Sequence, residues 1–448
     1  MTITPGRTRT ASRRPRRRVP TGPRHSVPPT FTTPRPAYAM TPPPEEPRPP
    51  AEEPQPARSH RAPARRSYLR AAFVRCALYL GPLSVAAAAA GPLTDVPWPV
   101  PLATLLLGWA AAQALTSAGV SVARRAGPAA AARLAGGGFA AVAGLWCSLV
   151  WIAPDALVGP HRGLALVIGL GGLGTLATIT AALVTRTEAA VVVWSLPCWL
   201  LAGSALAEPL IGRTAEVGLL LPAAIVVALV RAYQPVVVPG APGRRPRLTP
   251  AELRRSGGYL VIGASQAVVL GQVWQAGPSG STAPFWLPLL LAVPILEALI
   301  GWHTGQVEAG LDTTENGADY RKHVRSVTLI TIVGLLPPFA VGIALALAAY
   351  QLPAAKTSAT VLGLAGGTLL GGVFAVTYLL AARSRTAVAA LLAAAPPLVT
   401  VALPLLPLPS SGPLPDAVAV LAATHLAGLL VVALTAQSAP TADDSRRT

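Results

Sequence analysis

The chain has 448 residues, of which 52% are hydrophobic and only 12% charged, with a formal net charge of +18. Soluble domains carry about 25% charged residues. Half that density cannot cover a water-soluble protein of this length, and the mean hydropathy of +0.52 points the same way, so a soluble globular enzyme is set aside.

The first segment is the most basic. Residues 1–70 contain fifteen Arg, four Glu and seventeen Pro, placing +11 of the +18 in this stretch. So little aliphatic surface cannot offset the entropy of ordering the chain, and residues 1–66 are expected to be a disordered Pro/Arg-rich cytoplasmic tail. A basic region this long before any apolar core is no signal peptide, and the run Arg13-Arg14-Pro15-Arg16-Arg17-Arg18 lies too far from an apolar stretch for a twin-arginine signal. Anionic lipid headgroups are its expected partner, and nucleic acid is not. The stretch Pro42-Pro43-Pro44-Glu45-Glu46-Pro47 could dock a partner domain.

From Ala71 onward, apolar runs follow one another, most long enough to cross a hydrocarbon core of about 30 Å. Twelve spans are expected: 71–93, 98–122, 131–153, 162–184, 189–207, 215–233, 257–276, 284–303, 326–349, 358–381, 386–407 and 414–436. The fifth is short, and Pro396-Pro397 and Pro404 cut the eleventh, which leaves a count of eleven open. No period-two alternation interrupts the runs, so the expected fold is an all-α polytopic membrane protein rather than a barrel.

Basic residues test the orientation. With the tail inside, the inner loops collect Arg124, Arg125, Arg186, Arg244, Arg245, Arg254, Arg255, Arg321, Lys322, Arg383 and Arg385, among others, and the outer loops only Arg162, Arg213 and Lys356. Both termini are therefore expected in the cytoplasm, with the protein in the cell membrane. A linker at 234–256 divides a first six-helix half, 67–233, from a second, 257–436, before a short cytoplasmic tail at 437–448. The halves share a faint likeness: span four reads Gly169-x-Gly171-Gly172 and ends at Arg186-Thr187, while span ten reads Gly363-x-x-Gly366-Gly367 and ends at Arg385-Thr386, as an internal repeat requires. The glycine run of span four follows no strand, so helix packing explains it better than nucleotide binding.

Motifs for soluble chemistry are missing. The two lysines lie outside any phosphate-binding loop, and neither H-E-x-x-H nor G-x-S-x-G occurs. Cys76, Cys147 and Cys198 lie singly in apolar runs without metal-ligand spacing. No cofactor, metal or catalytic residue is expected. Ionisable residues inside spans are costly and are functional candidates by default. Glu297, deep in span eight after Pro288 and Pro294, is a candidate to carry a proton or bind a cation, with pairing to His303 or an inner-loop Arg as the structural alternative. His425, mid-span in span twelve, has a side chain suited to proton coupling. Arg75 reads as snorkelling to the interface, and Glu208 and Glu216 as solvated span ends. Gln113 in span two and Gln266 and Gln272 in span seven complete the transport candidates, lining a water-filled cavity or bonding between helices. Trp98, Trp109, Trp151, Trp286 and Trp302 read mainly as interface anchors. The loop 304–325 spaces Glu308, Asp312, Glu315 and Asp319 as a short amphipathic helix would.

Several features carry a family resemblance. The loop Val122-Ala123-Arg124-Arg125-Ala126-Gly127-Pro128 lacks the acid and leading glycine of the major facilitator pattern. The basic entry to span seven, Leu253-Arg254-Arg255-Ser256-Gly257, the polar Ser265-Gln266 and the acidic-to-basic loop after Glu297 resemble the polysaccharide and lipid-linked oligosaccharide flippases of the multidrug/oligosaccharidyl-lipid exporter superfamily. The resemblance implies a flippase or exporter of a lipid-linked saccharide or other amphiphile, working by alternating access. Two alternatives are a membrane scaffold with a partner-binding tail, and a lipid-dependent glycosyltransferase using Asp95 or Asp155.

Overall fold

The computed structural model describes residues 65–211, 217–237, 247–276, 287–313, 316–405 and 412–437. The tail expected over 1–66, most of the linker and residues 438–448 lie outside them, as do Glu216 and Trp286. In chain order the helices are α1 (Arg65–Tyr79), α2 (Gly81–Ala88), α3 (Ala90–Thr94), α4 (Pro99–Ala126), α5 (Pro128–Ile152), α6 (Asp155–Val158), α7 (Arg162–Thr185), α8 (Glu188–Trp194) and α9 (Leu196–Ile211). There follow α10 (Val217–Ala232), α11 (Gln234–Val237), α12 (Pro250–Gln275), α13 (Leu287–Thr313), α14 (Gly317–Ala349), α15 (Ala355–Ala382), α16 (Thr386–Ala402) and α17 (Pro413–Gln437). No strand occurs among the described residues.

Among the described residues, eight helical spans are long and apolar enough to cross a bilayer, and the pair α8–α9, bent by 45°, makes up to nine. The shorter apolar helices α10 and α16 and the glutamine-bearing α12 coincide with the remaining spans read from the sequence. The chain is thus a polytopic helical membrane protein. α16 runs unbroken through Pro396 and Pro397, and only Pro404 falls in a 3₁₀ turn, Leu403–Leu405. The proline pair of the eleventh span therefore lies within one continuous helix.

Helix ends follow local chemistry. α4 and α5 begin with Pro99 and Pro128, where a missing N–H costs nothing, and Gly127 between them takes φ +85°. Thr249 starts α12 with a reciprocal capping box: its backbone N–H donates to Glu252 Oε2 at 2.8 Å, and Glu252 N–H donates to Thr249 Oγ1 at 3.2 Å. Asn316 starts α14 by accepting from Ala318 N at 3.0 Å and Asp319 N at 2.8 Å. This last cap corrects the expected loop over 304–325. α13 continues to Thr313 and α14 begins at Gly317, so Glu308 and Asp319 sit on the ends of long helices and form no separate amphipathic one.

Two helices organise the packing. α7 touches α2, α4, α5, α8 and α10, and α15 touches α13, α14, α16 and α17. These are the fourth and tenth spans, the glycine-rich pair. α15 is the most enclosed, with 72% of its apolar stretch buried against 17% for the lipid-facing α14. Both central helices end alike: Arg186 and Ser384 adopt left-handed backbone (φ +60° and +62°), and the following N–H groups, Thr187 and Arg385, reach back to Ala182 O and Leu380 O at 3.0 and 3.1 Å. The equivalence pairs Arg186 with Ser384, one residue off the Arg-Thr match read in the sequence.

Lipid tails are as apolar as the core, so close packing through small residues supplies much of the association between helices. Ala131, Ala132, Ala135, Ala181 and Ala182 are fully buried. A Cβ on Gly263 of α12 would lie 2.9 Å from Trp109 O and 3.0 Å from Ala110 Cα of α4, and one on Gly371 of α15 would lie 2.9 Å from Ala292 Cα of α13.

Candidate functional site

Glu297 is 4% exposed. α13 passes through Pro294 unbroken, so the helix is not interrupted beside the carboxylate as expected. Because α13 runs on to Thr313, sixteen residues or about 24 Å of helix separate Glu297 from that end, so it sits near mid-helix. One turn earlier, Val293 packs with Leu78, Ala111 and Ala112, so this turn of α13 faces α1 and α4. Arg75 of α1 and Glu188 of α8 act on the Glu297 carboxylate electrostatically, and Cys76 lies within its field. α1 packs on both α8 and α13, and the Arg75 guanidinium lies in the field of both carboxylates. Tyr378 of α15 closes the group, sharing a side-chain hydrogen bond with Thr304 and lying in range of Glu297 and Arg75.

His303 is not the partner of Glu297. Thr331 Oγ1 donates to Val327 O at 2.8 Å, so it accepts from His303 Nδ1 at 2.9 Å, and the imidazole ties α13 to α14.

The glutamines lie elsewhere. Trp109 Nε1 donates to Gln266 Oε1 at 2.9 Å, joining α4 to α12; Trp109 is thus an interhelical donor, not an interface anchor. Gln272 Nε2 donates to Pro397 O at 3.2 Å, joining α12 to α16. Gln113 is buried, and its Oε1 lacks a partner among the described residues, as do Ser117 Oγ, Ser256 Oγ and Tyr259 Oη. These atoms, on α4 and α12, mark where water or a ligand can bond. Tyr259 interacts with Tyr378, linking this seam to the Glu297 group. His425 lies fully buried in the second half, its ring edge-on to Phe339 with centroids 5.3 Å apart. The sequence candidates therefore occupy separate places: Glu297 between α1 and α13, Gln113 and Gln266 between α4 and α12, Gln272 against α16, and His425 among α14, α15 and α17.

At the arginine-rich end, Arg125 of α4 and Glu252 of α12 form an ion pair at 2.8 Å. Partial burial works to raise the Glu252 carboxyl, but the hydrogen bonds from Thr249 and the Arg125 guanidinium outweigh it and hold the group below the usual carboxylate range. Nearby, Arg186, Arg255 and Glu308 each act on Arg124 electrostatically. At the other end Asp155 is committed to Arg162, at 2.9 Å. No group of three or more His, Cys, Asp or Glu able to hold a metal occurs among the described residues.

The residues missed from the sequence are Glu188, Tyr378 and the electrostatic reach of Arg75 to Glu297. Glu188 falls at a span start, where carboxylates are ordinarily solvated, and only the packing of α1 on α8 brings it inward. Thr249 and Glu252 carried a readable T-x-x-E signal.

No family model matches the sequence, and no curated protein is similar to it. Solved structures are. One is an outward-facing multidrug resistance MATE family transporter of the MOP superfamily: TM-score 0.53, 14% identity, over 83% of this chain and 95% of that one. Another is a MATE in its straight conformation, with TM-score 0.51 and 13% identity over 83% and 95% of the two chains. This chain has the fold of those transporters. The first neighbour belongs to the superfamily whose flippases the sequence resembles, and its likeness to this chain is one of fold.

Proposed function

We propose that this chain is a secondary transporter, not an enzyme, that moves an amphiphile across the cell membrane by alternating access. The observation that carries the reading is Glu297, a carboxylate buried near mid-helix where α13 meets α1, with Arg75 and Glu188 in its field. An intramembrane carboxylate on a transporter fold is a site for a proton or a substrate cation. α1 touches α8 from the first six spans and α13 from the second. When the halves rock, Arg75 stays with Glu188 or returns to Glu297, and Glu297 takes up a proton or substrate in the first case. Gln113, with its unpaired carbonyl, and Gln266 and Gln272, through their bonds, tune the seam beside this path.

Two carboxylates against one guanidinium favour a neutral or cationic amphiphile. A lipid-linked saccharide is the second reading, favoured by Arg124 with Arg186 and Arg255 in its field, which would receive a phosphate group. In this reading the arginine-rich end faces the cytoplasm, both termini lie inside, the halves are 67–233 and 257–436, and the basic tail rests on anionic headgroups.

The full chain in proteoliposomes under an imposed pH gradient tests the proposal, with ethidium and a fluorescent polyprenyl-diphosphate saccharide as separate probes. One probe should move, and Glu297→Gln should cut its initial rate at least tenfold. A folded wild-type protein that moves neither, or an unaffected Glu297→Gln variant, would sink it.

A further inference from the structure

His425 is a fully buried imidazole, and among the described residues neither Nδ1 nor Nε2 has a hydrogen-bond partner. Its ring fills the notch left by Gly372 on α15, where any Cβ would collide with it, and stands edge-on to Phe339 of α14 at 84°. A neutral imidazole always carries one donor and one acceptor, and leaving each unmatched in a dry interior is destabilising. Leucine would fill the same space without that cost. The ring is therefore a poor solution to packing alone, and the matching notch shows that it is seated rather than stray.

No charge faces it. α12, α14, α15 and α16 are the helices packed on α17. α16 has no titratable side chain. On α15 the nearest is Tyr378, about 9 Å of helix beyond Gly372, with Arg383 past it and Lys356 at the far end. At α14 the nearest are Tyr350, about 17 Å of helix beyond Phe339 at its C-cap, and Arg325, about 21 Å before it. α12 carries Tyr259 and, at its start, Glu252, Arg254 and Arg255, and α17 itself carries Asp416 in its first turn. The seat holds nothing that would balance an imidazolium, so a charged ring must leave it.

We propose that His425 is a proton-binding site distinct from Glu297, seated between α14 and α15 only as the neutral ring, so that proton uptake is linked to separation of α17 from these helices. The neutral seat is the stable arrangement above the ordinary imidazole value of about 6.5, and it is lost as the pH falls below it. One proton taken up per opening makes the opening constant rise about tenfold per unit fall in pH. This linkage holds whatever the substrate and whether or not Glu297 carries it.

Hydrogen–deuterium exchange of the full chain in lipid nanodiscs, from pH 8 to pH 5 and corrected for intrinsic rates, reads the opening directly. Amides of α17 and of α15 around Gly372 should gain exchange about tenfold per pH unit below 6.5 in the wild type. His425→Leu should be flat across the range and melt no lower than the wild type at pH 8. Gly372→Ala keeps every titratable group but displaces the ring, and should exchange at pH 8 as the wild type does at pH 5. ¹⁵N-histidine spectra supply a check that needs no packing variant: the imidazole resonance missing from His425→Gln should titrate over the same range. A His425→Leu slope equal to the wild type, or an imidazole that stays neutral while α17 opens, overturns the proposal.

Discussion

Arg162 does several jobs at once. Its guanidinium donates to Val150 O, Trp151 O and Ala153 O at 3.3, 2.6 and 2.9 Å, and to Asp155 Oδ1 through Nε at 3.1 Å and Nη2 at 2.9 Å. It thereby serves the carbonyls that α5 leaves unpaired at its end. Arg162→Ala should lower stability by about 1–3 kcal/mol, and Arg162→Lys should recover little, since one ammonium cannot span that set of acceptors; thermal melts in detergent decide it. Glu252 is the pH-sensitive counterpart. Its carboxyl is held below the ordinary value, so its capping and pairing contribute fully above about pH 4.3 and are lost as the pH drops through the folded value. Glu252→Gln should cost about 0.5–1 kcal/mol near neutrality, as expected of a pair at the surface with one exposed partner, and the difference from wild type should vanish in acid. A difference that persists at low pH would mean that the charge contributes nothing. At this scale the sequence was half legible: Glu297 announced itself by sitting in an apolar run, but its partners come from α1 and α8, and pairing across chain-distant helices leaves no local pattern.

Helices were the most legible feature, because each crossing needs a long apolar run and caps punctuate its ends. The misreadings share a cause. The acids at 308–319 read as a short surface helix of their own, yet α13 and α14 project past their apolar stretches, with Glu308 near the end of one and Asp319 in the first turn of the other. Pro396-Pro397 reads as a break in the sequence, but it lies inside continuous α16, as Pro337-Pro338 does inside continuous α14, where neighbouring helices can compensate for a missing backbone bond. Glycines divide by what they meet. Gly169 accepts the Trp146 ring and Gly172 the Thr104 methyl, whereas Gly263 meets α4 backbone and Gly137 faces open space. Side chains can turn aside and backbone cannot. Gly263→Ala should therefore cost about 1–3 kcal/mol, while Gly137→Ala should be neutral or stabilising by up to about 1 kcal/mol. Equal melting shifts for the two variants would refute the distinction.

On the scale of the molecule, the two sides of the junction between the groups of helices differ. α12 packs along α4 from Leu102–Gly271 through Trp109–Gln266 to Arg125–Glu252. α1 meets α13 over a shorter stretch that carries the ionisable groups. Composition and loop charge disclosed a membrane protein with paired halves in prospect; they were silent on this asymmetry, since both seams are built from similarly apolar helices and differ only in which faces meet.

The seam between α4 and α12 is held by backbone-level contact, one indole bond and one ion pair, none of which depends on the covalent connection between Val237 and Arg247. The peptide bond there is then a matter of delivery, ensuring equal amounts and common insertion, more than of cohesion. Residues 1–240 and 241–448, produced as two polypeptides in one cell, should find each other in the membrane and co-purify through a tag on either piece. Gly263→Val should abolish that recovery, and fragments that never associate would show that the connection itself holds the halves together.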